Sequence, residues 1–194
     1  MGATGVRERK KRETHAALSQ AARELVRARG LEHVTVDDIA TAADVSVRTF
    51  FNYFSCKEEA VVGVEAGVLA ELAEEVRQRP AGERPVETLR SVLLAELDSG
   101  AMLRRWQLRN ELVRRYPSLL PRHLATTVQV EEALARAFAD RSGVDPAVDP
   151  GPRIFVAAAL ASVRAALAWW EESDHQTPVT AVVEAALSQL APGP

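Results

Sequence analysis

Arg48, Thr49, Asn52 and Tyr53 fall within one short stretch and carry side chains of the kind that meet nucleobase edges and phosphates. An arginine can grip both acceptors of a guanine, a contact worth roughly 1–3 kcal/mol of discrimination, and a threonine can meet a thymine methyl or a phosphate. The same stretch holds Val47, Phe50, Phe51 and Phe54, which read as a packing face behind the polar one. Val47, at its start, also counts among the DNA-facing candidates. Upstream, Arg7-Glu8-Arg9-Lys10-Lys11-Arg12 is a basic run suited to phosphate or minor-groove contact, with Arg9, Lys10, Lys11 and Arg12 as its candidate residues.

The elements that must position these groups are marked by capping residues. Thr35 can cap a helix, with Asp38 three residues on as an acidic capping-box partner, and Val36, Ile39, Ala40 and Ala43 repeat at helical spacing. Asp44 interrupts, and Ser46 can cap a second helix that begins at Val47. Two helices joined by a tight turn form a helix-turn-helix, whose second helix enters the major groove. Before them, Leu18, Ala21, Ala22, Leu25 and Val26 form an apolar stripe on an amphipathic stretch from Ala16 to Ala28.

Between about Thr14 and Val64 the chain resembles the tetracycline-repressor (TetR-like) family of bacterial regulators. The residues that carry the likeness are a first helix ending at Gly30, then Val34-Thr35-Val36-Asp37-Asp38-Ile39-Ala40, Ala43-x-Val45-Ser46, Thr49-Phe50-Phe51-x-Tyr53-Phe54 and Lys57-Glu58-Glu59. The resemblance implies an all-α homodimer: a three-helix DNA-binding head over residues 1–56, including the basic arm, and a helical effector-binding and dimerisation body over 57–194. It implies that Arg48, Thr49 and Asn52 face bases, while Thr35, Tyr53 and Lys57 hold phosphates. Two positions depart from the family pattern, since members often carry tyrosine where this chain has Phe51 and histidine where it has Tyr53. Cys56 replaces a small polar residue and reads as a tolerated substitution.

The chain has 194 residues, 47% of them hydrophobic and 5% aromatic, enough for a sizeable core, and its alanine and leucine content favours helices. One cysteine excludes an intrachain disulfide or a cysteine-cluster zinc site, and four scattered histidines show no metal-ligand spacing, so neither metal nor cofactor is expected. Nothing resembles a nucleophile motif or a phosphate-binding glycine loop, so an enzyme is not expected. No charge-free apolar run of about 20 residues occurs, which points to a cytoplasmic protein without a membrane span. The net charge of −3 is unevenly spread: residues 1–30 hold eight Lys/Arg against three Glu, a balance of +5, leaving −8 for the remainder. Local positive charge steers a protein to phosphates, and an acidic body discourages docking the wrong way round.

Past Lys57 the pattern predicts one long helix through Val61, Val64, Val68, Leu72 and Val76, then helices over Val86–Leu97, Ala101–Tyr116 and about Arg122–Ala139. After a breaker with Pro146, Pro150 and Pro152 come two terminal helices, Arg153–Glu172 and Val179–Leu190, the last with Thr177 as expected cap. By the resemblance, these two helices form the dimer interface. On the helix from Ala101, Met102, Trp106, Leu112, Val113 and Tyr116 share one broad side with Arg109 in its middle. A charge there needs a partner: Glu96, Asp98, solvent, or an anionic or carbonyl-bearing ligand. Candidate ligand residues are Met102, Trp106, Arg109, Asn110, Tyr116, Phe138, Phe155 and Trp169. The expected function is a ligand-released repressor on a palindromic double-stranded operator, with an effector of unknown identity; the alternative is a DNA-bound scaffold of the same fold that recruits a protein.

Overall fold

The computed structural model describes residues 3–64, 66–98, 100–173 and 176–190. Every regular element among them is helical: α1 (Ala3–Arg29), α2 (Val36–Ala42), α3 (Val47–Phe51), α4 (Lys57–Val62), α5 (Ala66–Gln78), α6 (Pro85–Asp98), α7 (Ala101–Arg115), α8 (Leu120–Ser142), α9 (Gly151–Glu172) and α10 (Val179–Ser188). Packing divides the chain into two compact units, residues 1–68 with 105–127, and 69–104 with 128–194. The expected boundary at residue 56 differs from this division. Ala60, Val61 and Val62 of α4, Leu112 of α7 and Leu119 bury their side chains in the same core as Leu18, Val26, Ile39 and Phe50, so those segments belong with the first unit.

The turn of the helix-turn-helix is built from backbone bonds. The N–H of Val45 donates to the Ala40 carbonyl at 2.9 Å and that of Asp44 to Thr41 at 3.1 Å, closing α2 in a Schellman arrangement. That geometry puts Asp44 at a φ of 53°, a left-handed conformation that Asp tolerates better than most residues. Gly30, at φ 93°, turns the chain sharply after α1.

Several expectations are corrected. The basic run is part of α1 rather than a loose arm; Arg9 pairs with Glu13 one turn on at 3.6 Å. The single helix predicted through Val61 and Val76 is broken at Gly63, whose ψ of 153° ends α4. There the Gly63 N–H still bonds to the Glu59 carbonyl, and a Cβ would come within 2.6 Å of that oxygen. Thr177 does not cap α10: Pro178 occupies the N-cap position without a side-chain bond, while the Thr177 carbonyl accepts the Trp170 indole N–H at 2.8 Å.

In the second unit α10 packs on α9 and α6. Its core includes Leu89, Leu97, Phe138, Val156, Ala159, Leu167, Val183 and Leu187. The α5–α6 connection is tied by Arg79 to Glu83, by the Thr88 hydroxyl donating to Glu83 at 2.7 Å, and by Arg141 donating to the Pro80 carbonyl at 3.0 Å. The bond from Arg79, with that from Thr88, holds the Glu83 carboxyl down to about 2. Helix α9 is long and apolar enough to cross a membrane by length and composition alone. Its apolar residues lie on two faces, one buried against α10 and one exposed.

Replacing Asp44 with valine places a β-branched side chain at positive φ and should cost about 1–2 kcal/mol, whereas Asp44→Gly should be neutral or stabilising. Thermal denaturation of the two variants tests this.

Candidate nucleic-acid interface

The reading helix is fixed at its start and from behind, and the helix before it is capped as well. At α2, the Asp38 N–H donates to the Thr35 hydroxyl oxygen at 3.1 Å and the Thr35 N–H returns a bond to the Asp38 carboxylate at 2.8 Å. The Thr35 hydroxyl, its N–H and then Arg29 hold the Asp38 carboxyl below its ordinary value, so the capping box is charged at neutral pH. At α3, the Thr49 N–H donates to the Ser46 side chain at 3.0 Å, and the Thr49 and Ser46 hydroxyls lie 2.9 Å apart. Phe50 and Phe54 are fully buried and in ring contact at 5.6 Å.

With those two rings inward, Arg48, Phe51 and Asn52 are exposed. Phe51 is corrected from packing residue to surface residue: at 56% exposure it touches Phe50 by its edge, 5.5 Å between centroids, and otherwise meets solvent. Val47 is half-buried, packed against the core. Thr49 is half-buried with its hydroxyl engaged locally, which leaves its methyl as the group free to meet a base. Thr35 is exposed at the start of α2.

Tyr53 and Lys57 have structural duties that the sequence did not reveal. Tyr53 lies edge-on to the His15 ring, 6.3 Å between centroids, and His15 also contacts Phe54 at 4.5 Å. The Lys57 ammonium donates to the Leu31 carbonyl at 2.7 Å and to that of Val34 at 2.8 Å, tying α4 to the segment before α2. An ammonium has three donors, so one remains for a phosphate. Cys56 stands at the N-cap of α4 and its side chain makes no capping bond. Arg9, Lys10 and Lys11 are exposed on α1 and Arg12 is half-buried.

Sequence reasoning missed Arg23. It is buried on α1, and its Nε donates to the Val61 carbonyl at 2.7 Å and its Nη2 to that of Gly63 at 3.3 Å. Burial, then the guanidinium charges of Arg109 and Arg105, lower its pKa to about 10. Its only sequence signal was a charge within the apolar stripe of α1.

The candidate ligand residues fall in both units. In the first, Trp106 is buried and Arg109, Asn110 and Tyr116 are half-buried. In the second, Phe138 and Phe155 meet edge to face at 5.3 Å, Met102 is half-buried, and Trp169 is 58% exposed.

This arrangement is a helix-turn-helix that presents an arginine and an asparagine from a short, rigidly backed helix, and it defines a DNA-binding protein. Residues 18–64 match the family model described as bacterial regulatory proteins of the tetR family, and residues 83–194 match that described as the MftR C-terminal domain. The HTH-type transcriptional regulator TcmR of Streptomyces glaucescens is 36% identical over 204 residues, which cover 97% of this chain and 87% of the relative. Thermus thermophilus FadR, described as a TetR family transcriptional repressor in complex with lauroyl-CoA, is 27% identical with a TM-score of 0.55 over 93% of this chain and 98% of its own. The fatty acid degradation regulator FadR from Bacillus halodurans shares the fold, with a TM-score of 0.59 at 17% identity over 93% and 95% of the two chains. The chain belongs to the TetR family of bacterial transcriptional regulators.

Burial, followed by the charge of Arg23, lowers the His15 pKa to about 4, against a small opposing effect of Glu59. Unfolding returns it to 6.5, so the unfolded chain takes up a proton as the pH falls below 6.5, and the stability His15 contributes is lost from there towards 4. The lowered carboxyls Asp38, Glu59 and Glu83 act further down the scale. The melting temperature should therefore fall between pH 6.5 and 5, and His15→Phe should flatten that fall.

Proposed function

We propose that the protein is a homodimeric repressor that holds a palindromic operator and leaves it when a small, mostly apolar effector binds. Residues 1–56 form the DNA-binding part, joined at its edge by Lys57, and 57–194 carry the effector and dimer functions. The observation that carries the reading is the exposed face of α3, where Arg48, Phe51 and Asn52 stand clear while Phe50 and Phe54 anchor the helix from behind. Arg48 and Asn52 read base edges with Val47 and the Thr49 methyl beside them; Thr35, Tyr53, the third donor of Lys57, and Arg9, Lys10, Lys11 and Arg12 hold phosphates. The repressor sign accords with the description of the Thermus protein. That relative holds lauroyl-CoA, which supports an effector with a long apolar part. The site of action is the cytoplasm, where the operator is.

A dimer through α9 and α10 is supported by the second apolar face of α9. Ile154, Ala158, Ala161, Ala165 and Trp169 are all exposed and recur at helical spacing, with Ile154 at 63%. Small residues along such a stripe let a second copy approach closely, and a face of this kind on a chain by itself marks an interface.

Fluorescence anisotropy on DNA from upstream of the protein's own gene, against scrambled DNA over a salt series, tests the function. Sequence-dependent binding with two chains per site is expected; equal, salt-suppressed binding to both DNAs would refute the reading. Arg48→Ala should weaken operator binding by roughly 1–3 kcal/mol and relax preference at one base, whereas Lys57→Ala should weaken all sequences alike and lower the melting temperature. Ala161→Arg should convert the dimer to monomer in light scattering; an unchanged mass would place the interface elsewhere.

A further inference from the structure

Three arginines lie within electrostatic reach of one another in the first unit. Arg105 and Arg109 stand one turn apart on the same side of α7, and both act electrostatically on Arg23 of α1, as Arg105 does on Arg109. Among the described residues none of the three bonds to an acidic side chain. Arg23 is engaged with the carbonyls of Val61 and Gly63. Arg109 is not engaged: its Nε is sealed from solvent and has no hydrogen-bond partner. A guanidinium with one sealed, unpartnered donor and two like charges near it is a costly arrangement, and a planar fork of donors is what an oxyanion requires.

We infer that Arg109, with Arg105 one turn before it on α7 and Arg23 of α1 near both, forms a binding site for an oxyanion, the carboxylate or phosphate of a small molecule with an apolar remainder. Beside Arg109, Trp106 is buried, and Leu108, Val113 and Tyr116 are partly buried against the first unit's core, so the surroundings are apolar. Arg23 gives the site its consequence. It clamps the carbonyls at the C-terminal end of α4, the helix that follows α3, and its bond to Gly63 is long at 3.3 Å. An anion drawing on the same guanidinium competes with that clamp at the break between α4 and α5, so the site reaches the DNA-reading helix through one residue. The inference rests on the regulator reading only in treating the anion as an effector.

The test titrates the full-length protein with dodecanoate, dodecyl phosphate and uncharged dodecanol below their aggregation limits, by calorimetry and thermal shift. At least one anion should bind about tenfold more tightly than the alcohol, and which anion does so tells carboxylate from phosphate. Arg109→Met should abolish the preference for the anion while raising the melting temperature of the unliganded protein, because it removes an unpaired buried charge. Arg105→Gln alters an exposed side chain that the fold does not need, and should weaken the anion about tenfold. Equal binding of alcohol and anions, or an unchanged preference in both variants, overturns the site. Operator binding, measured on the same samples by anisotropy, separates the two readings: a failed anion test with operator binding intact leaves the regulator standing, and the reverse leaves the site standing without its effector role.

Discussion

A helix of five residues has no stability of its own, because nucleation costs more than its few hydrogen bonds return. Everything α3 does therefore depends on Phe50 and Phe54 being held in the first unit's core. That core is assembled from distant segments: α1 supplies Leu18 and Val26, α2 supplies Ile39, α4 supplies Val61, and Leu112 and Leu119 come from more than fifty residues downstream of α3. The aromatic anchors fix which side of α3 faces out, and so set where Arg48 and Asn52 stand. Ser46 and the Schellman turn then set the angle at which the helix leaves α2.

What could be read from the sequence follows from how local each interaction is. Thr35, Asp38 and Ser46 act within four residues, and their capping bonds form as the residue types dictate. The periodicity of α6 to α9 is likewise local, which is why those helices lie close to where it puts them, whereas α1 begins thirteen residues upstream of its predicted apolar stretch. Phe51 was misread because α3 is too short for periodicity to separate a buried face from an exposed one. Lys57 and Arg23 bond to carbonyls 23 to 40 residues away, and a backbone acceptor leaves no mark in a sequence. The break at Gly63 escaped because an isolated glycine in a helical pattern is often tolerated.

Charge is used in two opposite ways. At Glu83 and Asp38 carboxylates are surrounded by donors and held ionised, which ties a connection and a helix start. At Arg23 and Arg109 positive groups are gathered and deprived of water. The first arrangement lowers the energy of the folded chain; the second raises it.

The helical form of the N-terminal basic run has a consequence for how ions are released when DNA binds. At about 100° per residue, Arg7, Lys10 and Lys11 project to one side of α1 while Arg9 and Arg12 project to the other, where Glu13 already partners Arg9. A flexible tail could lay all five charges along a phosphate strand and displace a counterion with each; a rigid helix offers one side at a time. Whatever ionic contribution the run makes is thereby set by its winding rather than by its composition.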